Sequence, residues 1–203
     1  PNDPGDTILL SPLVDARSWE DLAELRASSR DRGVEGLMLK HREARYGVGR
    51  TRSEHGWWKW KVDPFSVDAV MVAAQPGSGR RASLYTDYTF ALWDDQGDGE
   101  GDARSLVTFA RAYSGLTQEE IEKLDRWIRA HTTRKSGPFR QVEPVQVFEI
   151  AFEGVRRSGR HKSGVAVRFP RIARWRTDKP AAEADTLGSL IGLIPGAGTC
   201  PTR

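Results

Sequence analysis

Near the end of the first third of the chain, Trp57-Trp58-Lys59-Trp60-Lys61-Val62 leaves little choice besides a β-strand. Aromatic and β-branched residues suit a pleated surface, and strand side chains alternate between two faces. Lys59 and Lys61 therefore share one face, while Trp58, Trp60 and Val62 point the other way into apolar packing. Two ammonium groups aimed at one spot call for an anion, because like charges side by side are costly without one; a phosphate or a chain of phosphates is the obvious candidate. Taken alone, the same strand also reads as a solvated outer face over a tryptophan-lined inner one.

Two further segments favour the anion. Glu35-Gly36-Leu37-Met38-Leu39-Lys40 precedes the strand, and Arg168-Phe169-Pro170-Arg171 leads into Arg174, Arg176, Asp178 and Lys179 well after it. In this order the three segments resemble the last three motifs of the ATP-dependent DNA ligases, within the covalent nucleotidyltransferases that also include RNA ligases and mRNA capping enzymes. The fourth family motif is a Glu-Gly pair, a short apolar stretch and a lysine. The fifth is a Trp-x-Lys-x-Lys strand, and the sixth is Arg-Phe-Pro-Arg followed by spaced arginines and Asp-Lys. Arg168-Phe169-Pro170-Arg171 is the specific element and argues against an RNA ligase or capping enzyme. Tyr46, Gly49-Arg50, Val147-Phe148-Glu149-Ile150 and His161-Lys162-Ser163-Gly164 are similar to bacterial ligases of repair operons that also encode a helicase and a nuclease.

The resemblance implies an α+β chain. Residues 1–63 would be the C-terminal part of a nucleotidyltransferase (adenylation) domain, residues 64–180 an OB-fold β-barrel with one inserted helix, and residues 181–203 a partly disordered tail. It also implies ATP and Mg2+ as cofactors, nicked duplex DNA as partner, and a monomer that works beside a repair helicase and nuclease. Lys59 and Lys61 would hold the adenylate phosphate, and Glu35 would help organise the metal. Strand parity places Glu35 with Leu37 and Leu39, and Lys40 with Gly36 and Met38, so Glu35 is preferred over Lys40 as the acid-side contribution to the pocket. Arg171, Arg176 and Lys179 would orient the leaving pyrophosphate, with Asp178 holding one of them or assisting the metal. Arg156, Arg157, Arg160, Lys162 and Arg168 would face DNA. An ion-pair network on the surface is the competing reading of Arg176-x-Asp178-Lys179.

The family nucleophile is a lysine in Lys-x-Asp-Gly, and no such sequence occurs among these residues. The chain is therefore expected to be the C-terminal portion of a ligase and, by itself, not to form a covalent adenylate. A free-standing nucleic-acid-binding barrel remains the non-catalytic alternative.

Composition restricts the class further. No apolar run approaches the roughly 20 residues that span a bilayer, and the first residues carry no basic-then-apolar secretory pattern, so a cytoplasmic protein is expected. The single cysteine, Cys200, has no partner for a disulfide and no histidine cluster for zinc. Net charge is only +3, but it is segregated: Asp94, Asp95, Asp98, Glu100 and Asp102 form an acidic Gly-rich turn, whereas residues 156–179 are densely cationic. Such a basic tract can neutralise a phosphate backbone with strong salt dependence.

Periodicity supplies the elements. A strand is expected over 6–14, a helix from Ser18 to about Arg32 stopped by Gly33, a buried strand over 34–41, and a loop through Gly47 and Gly49. Pro64 marks a hinge. Strands follow over 67–74, 82–93, 106–113, 145–152 and 165–172, with a turn at 75–81. Thr117 with Glu120 opens a helix whose Ile121, Leu124, Trp127 and Ile128 recur at helical spacing, a core stripe. The chain from Pro195 is expected to be disordered.

Overall fold

A computed structural model describes residues 13–45, 56–94 and 104–194. The expected strand at 6–14 falls largely outside the described residues, as do Tyr46, Gly47, Gly49, Arg50, the acidic turn beyond Asp94, and the tail from Pro195 with Cys200. The chain divides into two compact units, Pro1–Val62 and Asp63–Arg203.

In the first unit, helix α1 (Trp19–Ala27) starts where Ser18 accepts a hydrogen bond from the Asp21 N–H at 3.1 Å. Glu20 and Asp21 in its first turn and Arg26 in its last suit the helix dipole. It is shorter than expected: the Ser28 N–H caps the Glu24 carbonyl, and a turn runs on to Gly33, whose φ of +67° glycine tolerates. Strands β1 (Gly36–Lys40) and β2 (Trp57–Lys61) then pair antiparallel, with Met38 opposite Lys59 and Gly36 opposite Lys61. The expectation of a buried strand here is corrected. Leu37 and Leu39 are half-buried and Met38 is 48% exposed, because two strands and one short helix enclose only one face. Trp60 is the residue α1 grips, through the edge of Trp19 at 6.1 Å and the Arg26 guanidinium at 5.4 Å. Trp58, expected in apolar packing, is instead 49% exposed.

The second unit is built on a curled antiparallel sheet. Its strands are β3 (Phe65–Pro76), β4 (Tyr85–Asp94), β5 (Ser105–Ala112), β6 (Thr132–Ser136), β7 (Phe139–Val142) and β8 (Val147–Phe152). A hairpin of β9 (Gly154–Arg157) and β10 (Val165–Arg168) follows, then β11 (Arg171–Trp175). The sheet order is β11-β8-β3-β4-β5, and β7, with β6 on it, pairs the far end of β3. Register shifts between Met71 and Ala73 and between Phe90 and Ala91 bend the long strands, which is how a sheet curls into a half-barrel of the OB-fold kind.

Helix α2 (Gln118–Ala130) closes that half-barrel. Thr117 and Glu120 form the expected capping box, and Ile121, Leu124 and Ile128 are buried. The core they join includes Tyr88, Phe90, Phe148, Ile150 and Phe152. Tyr88 is buried with its hydroxyl donating to the Tyr85 carbonyl at 2.8 Å, and burial pushes its pKa up.

Three parts of the second unit depart from the expectations. The strand expected over 165–172 is two strands, broken at Phe169, whose φ is +52°. The β6–β7 hairpin and β9 were not expected, and 75–81 is strand as far as Pro76 before its turn. Residues 181–194, expected as part of a tail, pack instead: helix α3 (Leu187–Gly192) buries Leu187 and Leu190 against the main core.

Leu124 is fully buried at the helix–sheet contact. Leu124→Ala is expected to lower unfolding free energy by about 2–5 kcal/mol, the range for a buried leucine whose cavity only partly collapses, as read by chemical denaturation.

Candidate phosphate and nucleic-acid site

In the first unit the register of β1 and β2 gathers lysines on one face. Residues directly opposite across an antiparallel pair share a face, so Met38, Lys40, Lys59 and Lys61 stand together, away from Leu37, Leu39 and Trp60. Lys59 is exposed, Lys40 lies 4.0 Å above the Trp57 ring, and Lys61 Nζ is 2.8 Å from Glu35 Oε2. That ion pair corrects the parity argument, which put Glu35 on the opposite face. Gly36 is the reason: its φ of +139° interrupts the alternation between Glu35 and the strand. A Cβ at Gly36 would lie 2.3 Å from the Trp60 carbonyl oxygen, so the close approach of β1 to β2 at this point needs glycine. The pair is partly open, with side-chain exposures of 38% for Lys61 and 32% for Glu35.

In the second unit the sixth-motif residues separate into three groups. Arg168 is exposed, above the ring of Phe169 at 4.9 Å. Arg171 pairs with Glu153 at 3.0 Å, and Arg174 with Glu149 at 3.8 Å. Arg176 and Lys179 converge on one oxygen: Asp68 Oδ2 accepts from Arg176 Nη1 at 2.7 Å and from Lys179 Nζ at 2.8 Å. Asp178 takes Arg176 from the other side, accepting from Nε and Nη2 at 3.0 and 2.9 Å. These hydrogen bonds raise the pKa of Arg176 and bring that of Asp178 down to about 2.

Asp68 was missed in the sequence reading, and so was Asp185. The Asp68 N–H donates to Asp185 Oδ2 at 2.7 Å, and the Asp185 N–H returns a bond to the Asp68 carbonyl at 2.8 Å. A signal existed: Asp68 interrupts the apolar run of β3, where Val67, Ala69, Val70 and Met71 are all buried. A carboxylate in such a run needs cations.

Beside these residues lies a groove of about 760 Å³, lined by Lys123, Trp127, Trp175, Asp178 and Lys179 among others. Trp175, another lining residue, is stacked on Phe148 at 5.5 Å and tied by its indole N–H to Gln146. Of the predicted DNA-facing residues, Arg156, Arg157, Arg160 and Lys162 are exposed. Arg160 and Lys162 line a second groove of about 440 Å³ with Arg111, Phe109 and Pro170.

Among the described residues no three His, Cys, Asp or Glu side chains are grouped to cage a metal. Glu35 offers one carboxylate, already on Lys61. This donor set fits Mg2+ only as an ion carried largely by phosphate oxygens and water, the usual manner for that metal.

The second unit is thus an OB-fold-like sheet edged by Arg-Phe-Pro-Arg, and the first carries a strand pair with clustered lysines. Residues 81–179 match the family model described as ATP dependent DNA ligase C terminal region. A "Probable DNA ligase" of Koribacter versatilis is 44% identical over 91% of this chain, which spans 30% of that relative. Another, of Opitutus terrae, is 40% identical over 94% of this chain and 18% of its own length. A solved structure named Pmar-Lig_PreS3 shares the fold, with a TM-score of 0.55 and 21% identity over 78% of this chain and 32% of its own. The chain belongs to the ATP-dependent DNA ligases, of which it carries the C-terminal region. It spans less than a third of these two curated relatives.

Because folding lowers the Asp178 pKa from its ordinary 3.8 to about 2, its stabilising contribution is complete above 3.8 and is lost as pH falls toward 2. Asp178→Asn should therefore melt below the native protein near neutral pH, and the gap in melting temperature should close across that acid window.

Proposed function

We propose that this chain completes a DNA ligase that uses ATP and Mg2+ to seal nicks in duplex DNA. The observation that carries the reading is the shared face of Lys59 and Lys61 on β2, with Glu35 brought to Lys61 by Gly36. Residues 1–63 are the end of the adenylation domain and residues 64–180 the OB-fold domain. A lysine of a Lys-x-Asp-Gly motif, which this sequence lacks, attacks the α-phosphorus of ATP. A P–N bond forms, the P–O bond to the β-phosphate breaks, and pyrophosphate leaves with the electron pair. AMP then passes to a 5′-phosphate at the nick, and the neighbouring 3′-hydroxyl displaces it. Such steps depend on positioning and charge stabilisation more than on protein-centred covalent chemistry.

Each residue then has a task. Lys59 and Lys61 hold the α-phosphate and offset charge that grows on its oxygens. Glu35 releases Lys61 to that phosphate and offers one oxygen to Mg2+, which neutralises phosphate charge when bound. Arg171, Arg176, Asp178 and Lys179 serve pyrophosphate departure. Arg156, Arg157, Arg160, Lys162 and Arg168 meet the DNA backbone, as a basic groove on an OB-fold sheet suits. The isolated chain is inactive, and the complete enzyme works in the cytoplasm as a monomer beside repair helicase and nuclease.

In the complete ligase, Lys61→Ala is expected to cut self-adenylation by about a hundredfold or more, since a preorganised charge is lost from the transition state. Adenylation is read by transfer of labelled AMP to protein, and folding by circular dichroism. Near-native labelling would remove Lys61 from the site.

A further inference from the structure

Asp68 has no task in the mechanism above, yet it holds both cations at the end of the sixth motif. Its side chain is only 11% exposed, and those of Arg176 and Lys179 are 19% exposed. Burying a carboxylate this deeply is costly without good partners. Asp68 also stands directly opposite Glu149 in the β3–β8 register, a like-charge pair that needs compensation. Arg174 serves Glu149, so Asp68 depends on Arg176 and Lys179. Its second oxygen, Oδ1, is buried without a hydrogen-bond partner. Both cations are thus drawn to one oxygen, which fixes their positions within a few ångströms of each other.

The two cations are held differently. Nε, Nη1 and Nη2 of Arg176 all donate to Asp68 or Asp178. The Lys179 ammonium donates to Asp68 alone in the hydrogen bonds described, and an ammonium has three donors. Lys179 and Arg176 both line the groove that Trp175 lines, and Lys123 lines it too, 5.2 Å from the centre of that ring. Arg176 is therefore a strut between two acids, whereas Lys179 rests on Asp68 in the hydrogen bonds described and keeps the more mobile, point-like charge for a phosphate.

We propose that Asp68 is a positioning residue for adenylation: it clamps Lys179 against Arg176 so that the lysine's remaining N–H groups meet the β- and γ-phosphates that leave as pyrophosphate. The proposal rests on the ligase reading above. Its consequence is selective for one step. Pyrophosphate departs only when the enzyme is adenylated, so sealing of a nick that already carries AMP does not use the clamp. A merely structural Asp68 would impair both steps alike.

The test uses the complete ligase and two variants, Asp68→Asn and Asp68→Ser, assayed for ATP-dependent self-adenylation and for sealing of a chemically pre-adenylated nick. For at least one of them, kcat/KM for ATP in adenylation should fall about tenfold or more, chiefly through a higher KM, while pre-adenylated sealing stays within about threefold of native. Lys179→Gln should show the same split, and Asp68→Asn combined with Lys179→Gln should be no worse than Lys179→Gln alone, since the aspartate acts through the lysine. Equal loss of both steps in both aspartate variants, or native KM for ATP in a folded variant, overturns the proposal. Failure of the native protein to adenylate itself or to seal the pre-adenylated nick would instead overturn the ligase reading, and this proposal with it.

Discussion

A single buried carboxylate oxygen organises the second unit. Asp68 sits in β3, which pairs with β4 on one side and with β8 and β7 on the other. On one face of β3, Val67, Ala69 and Met71 enter the main core; on the other, Val70 packs with Val147 and Ala184. That second face is covered by the chain returning after β11. The Trp93 indole donates to the Ala181 carbonyl at 2.7 Å, and the Asp185 N–H bonds the Asp68 carbonyl. The cover buries Asp68 and, through Arg176 and Lys179, supplies the charges that make its burial tolerable. Fold and charge cluster are interdependent: without the cations the carboxylate would resist the cover, and without the cover the cations would be solvated and mobile.

Much of this was legible in the residues, for reasons that can be named. Helix α2 declares itself by Thr117, Glu120 and a 3.6-residue apolar stripe, all local signals. β3, β4, β5 and β8 have enough β-branched and aromatic residues to be found, with ends displaced by a few positions. What escaped depends on long-range partners. The strand expected over 165–172 breaks because Phe169 takes a left-handed φ, and nothing in the type of residue announces that. The β6–β7 hairpin is mostly exposed, so its Thr, Arg and Lys residues carry no buried alternation. Residues 181–194 were expected within a partly disordered tail, yet Leu187 and Leu190 find a core already formed by other elements.

The site was partly legible for a similar reason. Lys59 and Lys61 fall on one face by simple alternation, and the register with β1 agrees. Parity failed one residue outside the strand, at Glu35, because alternation holds only where φ and ψ stay extended. Gly36 departs from that region, and the Trp60 carbonyl leaves no room for a side chain there. The glycine of a Glu-Gly pair is thus the part that decides where the acid points.

The two units solve the same electrostatic problem in the same way. In each, a lysine with a proposed phosphate role rests on a carboxylate at 2.8 Å: Lys61 on Glu35, and Lys179 on Asp68. Unpaired, such cations would repel their neighbours and attract any anion in solution. Paired, they admit only an anion able to match or displace the resident carboxylate, and a polyphosphate does so better than chloride or a single phosphate because it brings several charged oxygens at once. Affinity is lost in the exchange and discrimination is gained. In their proposed DNA-facing role the exposed Arg156, Arg157, Arg160 and Lys162 would need no such restraint, since a DNA backbone is bound by summing many weak, salt-screened contacts. On this view acids accompany the cations that must choose among small anions and are sparse where the ligand is a polymer.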